Sequence, residues 1–94
     1  MLSDQRNSGY IRVYYDYVPD SAAAVINRAS ELLRDKRYAE ALTMLLTVEN
    51  DERAHNALGV ALYMTGRKEE SLRHFRAAAA SGNEDALRNI EQLE

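Results

Sequence analysis

The chain is 94 residues long, enough for one domain, and it carries no cysteine, which excludes disulfides and thiolate chemistry. Charged residues make up 29% of it with both signs scattered, and a net charge of −3 offers little attraction to a polyanion or an acidic membrane surface. The longest basic cluster, Arg34 to Arg37, is interrupted by Asp35, so nucleic acid is not an expected partner.

No apolar run approaches the ~18–20 residues that cross a bilayer, so membrane insertion is not expected either. The opening "MLSDQRNSGY" lacks the basic head and apolar stretch of a secretion signal. These features leave the compartment open.

The first segment, residues 1–19, is expected to be extended or partly disordered. Tyr10 to Val18 reads "YIRVYYDYV" and holds four of the six tyrosines. Ile11, Val13, Tyr15 and Tyr17 share one face at period two, and Tyr10, Arg12, Tyr14 and Asp16 share the other. Nothing else in the chain resembles a strand, so its backbone groups need partners from elsewhere. Three fates are open: the end of a preceding domain, an extended segment folded back to occupy a groove of the helical part that follows, or a homodimer contact through Tyr10–Val18.

After Pro19 the apolar period changes to 3.6. Asp20 or Ser21 can cap a helix with Val25, Ile26, Ala29, Leu32 and Leu33 on its apolar face. "RDKR" breaks the pattern, and a second helix carries Tyr38, Ala41, Leu42, Leu45 and Leu46. Asn50 or Asp51 can cap a third, with Ala54, Ala57, Leu58, Ala61 and Leu62. Thr65-Gly66 ends it, Gly66 being placed for a left-handed C-terminal position. The fourth carries Leu72, Phe75, Ala78 and Ala79 and stops at Ser81-Gly82; Asn83 can cap a fifth with Ala86, Leu87, Ile90 and Leu93. Such short connections predict antiparallel hairpins.

Gly59 stands inside the third helix, where a glycine costs about 1 kcal/mol relative to alanine. Self-similarity explains its retention. A shift of 30 places Ala29 on Gly59, Leu32 on Leu62, Ala41 on Ser71 and Leu45 on Phe75. Each copy sets small residues where two helix axes would approach and large ones a turn away. Gly59 therefore predicts a close crossing by the paired helix.

These residues resemble the tetratricopeptide repeat, whose pattern runs W-x2-L-G-x2-Y, then A-x3-F, then A and P. In the unit 52–85, Leu58, Gly59, Phe75 and Ala78 match, and Gly66 stands at the turn; His55, Leu62, Ser71 and Asn83 replace the tryptophan, tyrosine, alanine and proline. The unit 22–51 is four residues shorter, predicting a second helix one turn short. Ala29, Leu32, Tyr38, Ala41 and Leu45 support it, while Arg28 stands where the pattern has leucine. The resemblance implies an all-α fold over 20–94, a right-handed stack of antiparallel hairpins closed by a capping helix at 84–93.

Catalytic chemistry finds no support. There is no phosphate loop, nucleophile elbow or HExxH. The acids Glu69-Glu70 and Glu84-Asp85 sit at helix starts, where they complement the macrodipole. His55 occupies a packing position and His74, beside Arg73 and Arg76, is expected on a solvated face; neither is expected to hold a metal, and no cofactor is implied.

The resemblance implies instead a protein–protein interaction module, with a peptide or partner domain on the concave face formed by the first helix of each unit. By position that face would present Ile26, Ser30 and Leu33, then Arg53, Asn56, Val60, Tyr63 and Met64, then Arg88 and Gln92. Val60, Tyr63 and Met64 make an apolar, adaptable patch with a phenol handle. Ile26 and Leu33 have burial against the next unit as an equal alternative. The family's groove for a C-terminal carboxylate is not reproduced, because Val60 stands where an asparagine is needed. The rival expectation is a structural element that packs within a parent chain or a homodimer and takes no free ligand.

Overall fold

The computed structural model describes residues 20–94, so the expectations for 1–19, including the extended segment and a dimer contact through Tyr10–Val18, lie outside the described residues. The described residues are all-helical: α1 Ser21–Arg34, α2 Tyr38–Leu46, a short 3-10 turn Glu52–Ala54 that runs into α3 His55–Met64, then α4 Lys68–Ala80 and α5 Glu84–Leu93.

Local chemistry sets the starts. The Asp20 carboxylate accepts the Ala23 N–H at 3.2 Å, Asp51 accepts the Arg53 N–H at 2.9 Å, and Asn83 accepts the Ala86 N–H at 3.0 Å, each answering an amide that the helix leaves unpaired. α2 and α4 begin differently. Arg37 and Arg67 give no side-chain cap, but each reaches forward in a two-pronged ion pair, to Glu40 and Glu70 respectively.

Three of the ends share one construction. The Arg37 N–H returns to the Leu32 carbonyl, that of Arg67 to Leu62, and that of Asn83 to Ala78. The residue before each has positive φ: Lys36 at 64°, Gly66 at 91°, Gly82 at 95°. This is the Schellman closure, in which one left-handed residue lets two amides satisfy the last carbonyls. Gly66 takes the left-handed place that the sequence predicts for it. α2 is 9 residues long against 13 for α4, which is the one-turn deficit expected of the shorter unit.

Successive helices pack on one another: α1 on α2, α2 on α3, α3 on α4 and α4 on α5, with a further contact of α1 on α3. In the α3–α4 pair the partners count in opposite directions. Glu52 meets Ser81 at the base, and Gly59 meets Ser71 higher up, so the hairpin is antiparallel. Two apolar clusters result. One joins Ala29 and Leu32 with Ala41, Leu42 and Leu45 and with Ala54, Leu58, Ala61 and Leu62. The other sets Phe75, Ala78 and Ala86 together, with Val60, Ala79, Ile90 and Leu93 against them.

Gly59 sits at the crossing between these clusters. Its carbonyl accepts the buried Ser71 hydroxyl at 2.8 Å, and a β-carbon placed on it would lie 2.5 Å from Phe75 Cδ1. The helix-propensity cost is thus offset by contact that no side chain would permit.

Candidate functional site

The feature that distinguishes one face of the molecule is a cleft of about 210 Å³ lined by Val60, Tyr63, Met64, Phe75, Asn89, Gln92 and Leu93. α3 and α5 form its walls, and the Phe75 ring of α4 its floor. It exists because α5 packs on α4 and reaches α3 through a polar contact, the Asn89 amide donating to Asn56 Oδ1 at 3.2 Å. Asn56 pairs with Asn89, and Val60 shares the cleft with Leu93. Both relations span 33 residues and both rise together, so α5 runs in the direction of α3.

The cleft is apolar in its lower half and open above. Val60 and Leu93 pack partly against the Phe75 cluster. Tyr63 and Met64 remain 42% and 46% exposed, large side chains with apolar surface left uncovered by the fold. Gln92 is exposed and Asn89 half-buried, so the rim can exchange hydrogen bonds.

Of the residues expected on this face, Val60, Tyr63, Met64 and Gln92 line the cleft, and Asn56 is joined to it through Asn89. Others do not. Ile26 and Leu33 are half-buried against the first cluster, as their packing alternative has it, and Ser30 is half-buried on the same helix. Arg53 is held at the base of α1 and α3, bonded to Asp20 at 2.8 Å and to Asp51 at 2.7 Å. Its guanidinium holds the Asp51 carboxyl down at about 2 and lowers that of Asp20 as well. Arg88 is exposed and paired with Asp85 on its own helix.

Phe75, Asn89 and Leu93 line the cleft without having been placed there by sequence. The signal for the last two was present: Asn89 and Leu93 stand 33 positions after Asn56 and Val60.

A second polar feature corrects an expectation. His74 is not on a solvated face. It is half-buried, and its Nδ1 lies 3.1 Å from Nδ1 of His55 across the α3–α4 hairpin. Among the described residues no group of three or more His, Cys, Asp or Glu side chains is placed to hold a metal ion. No described helix is long and apolar enough to cross a membrane.

No family model, curated protein or solved structure matches the chain.

Proposed function

We propose that this chain is a protein-interaction module built of tetratricopeptide-like helix pairs, and that it docks an extended peptide or a partner's projecting segment in the cleft between α3 and α5. The observation that carries the reading is the 33-residue relation of Asn56 to Asn89 and Val60 to Leu93. It aligns the first helices of successive units side by side, the arrangement from which a stacked repeat makes a continuous concave surface. The right-handed stack, with units at 22–51 and 52–85 and a cap at 84–93, belongs to the same proposal.

The chemistry of the cleft favours a peptide with one or two apolar anchors. Val60, Met64, Leu93 and the Phe75 ring supply an adaptable apolar floor. Tyr63 offers area and a hydroxyl at little entropic cost on binding, since it has two side-chain torsions to fix. Asn89 and Gln92 supply amides for a peptide backbone. No residue of the cleft is assigned a catalytic task.

The test is selection of peptides from a random displayed library on the full chain, followed by titration calorimetry of an enriched peptide. Tyr63→Ala should weaken that peptide tenfold or more, a loss of about 1.4 kcal/mol, with the thermal midpoint unchanged. Failure to enrich any peptide, or equal binding by Tyr63→Ala, contradicts docking in this cleft. A lowered midpoint in Tyr63→Ala would move the balance to the rival, a structural element whose cleft is packing surface.

A further inference from the structure

The His55–His74 contact lies away from the cleft. The two Nδ1 atoms are 3.1 Å apart, the ring centroids 5.3 Å apart, and the ring planes 34° from parallel. The centroid separation exceeds the nitrogen separation by close to twice the distance from a ring centre to its nitrogen. The two nitrogens therefore point at each other. That is the geometry of an N–H···N hydrogen bond, with one ring donating through Nδ1–H and the other accepting on a bare Nδ1.

Such a bond needs one hydrogen on the shared axis. A first added proton does not break it, because a cationic ring still donates to a neutral one, and more strongly. A second does, because both facing nitrogens then carry hydrogen and both rings carry charge at contact distance. We propose that His55 and His74 form a proton-sensitive clasp, closing the α3–α4 hairpin while a single hydrogen lies between them and loosening it in mild acid when each nitrogen acquires its own.

The surroundings bear on the sign. Arg73, on α4, opposes a positive charge on His74, while Glu49, in the connection before α3, and Glu70, on α4, favour one. Asp51, at the cap below α3, faces His55. Burial is the largest influence on His74 and holds it below its ordinary 6.5, with the facing His55 next. The unfolded chain, whose imidazoles titrate independently near ~6.5, then binds more protons than the folded one. The clasp's contribution is complete above that value and is lost as the pH falls through the lower folded one.

Urea unfolding of the full chain at about pH 7.5 and about pH 5 reads the effect. His74→Asn keeps an amide near the Nδ1 position and cannot titrate. The wild-type midpoint should fall on acidification, and His74→Asn should lose most of that fall; an equal fall in both overturns the clasp. Imidazole nitrogen NMR of the unmodified chain gives a second reading that does not depend on a variant folding. At neutral pH one of the two rings should be the Nδ1–H tautomer. Their protonation steps should be separate rather than coincident. Two Nε2–H tautomers, or two steps that coincide near 6.5, refute it.

Discussion

A β-carbon on Gly59 would come within 2.5 Å of both Cδ1 and Cε1 of Phe75 and 2.8 Å of Cζ. The ring cannot turn aside freely, since Phe75 is 2% exposed and sits among Ala78, Ala86, Val60 and Ile90. Two effects compete in Gly59→Ala. Helix propensity favours alanine by about 1 kcal/mol. Overpacking costs about 1–3 kcal/mol and wins. Gly59→Ala is expected to lower the thermal midpoint, and Gly59→Leu to lower it further. Pairing Gly59→Ala with Phe75→Leu should recover part of the loss, which a double-mutant cycle measures. An unchanged midpoint in Gly59→Ala would mean that the helices do not cross here.

Lys36 holds the backbone position that Gly66 and Gly82 hold elsewhere, with φ of 64° against 91° and 95°. A side chain there costs roughly 1–2 kcal/mol, partly offset by the greater freedom glycine has in the unfolded chain. Lys36→Gly should therefore stabilise by about 0.5–1 kcal/mol. No heavy atom stands within 4 Å of a β-carbon placed on Gly66 or Gly82, so their cost is conformational alone. Gly66→Ala should destabilise by about 1 kcal/mol. Chemical denaturation of the two variants checks the sign of each.

Helix positions were legible because the signals are local. Apolar period, an Asp or Asn at a start and a glycine past an end each act within a few residues. Gly59 was legible because a glycine inside an apolar helix asks for a close neighbour. Lys36 was not, since nothing in a lysine announces a left-handed turn; the position is imposed by the closure on Leu32 and Leu33. The histidine pair was missed for another reason. Periodicity assigns each ring to a face of its own helix, while the bond depends on the register between two helices that brings residues 19 apart together. The cleft between α3 and α5 was only partly legible: a shift of 30 aligns positions within hairpins, whereas contact between α3 and α5 runs at 33.

Arg53 bridges two caps, pairing with Asp20 before α1 and with Asp51 before the 3-10 turn. Its guanidinium is the first cause of the depressed Asp51 carboxyl, at about 2, and of the lowered Asp20 carboxyl. Folded values below the ordinary 3.8 mean that the unfolded state binds more protons in acid. The contribution is present above about 4 and is lost as the pH falls toward about 2. Arg53 and Asp20 are exposed and Asp51 is only half-buried, so the effect is small and weakens in salt. Arg53→Gln should flatten the stability profile between about pH 4 and about pH 2 while leaving the histidine-dependent fall at higher pH in place. A profile identical to wild type below pH 4 would remove Arg53 from the role of bridge.

Asn56 and Asn89 test how α5 is seated. Both are half-buried, and the bond between them joins α3 to a helix that otherwise rests on α4. Asn89→Ala removes the donor and leaves the Asn56 carbonyl half-buried without it, at a cost of about 0.5–1.5 kcal/mol. Asn56→Ala should cost a similar amount, and the double variant should cost less than the two losses together, because the second change removes a group already stranded. Additive losses would mean the two amides do not interact in solution. Since the same seam aligns Val60 with Leu93, additivity would also withdraw the geometric support for a cleft between α3 and α5, whatever the outcome for Gly59 and Phe75.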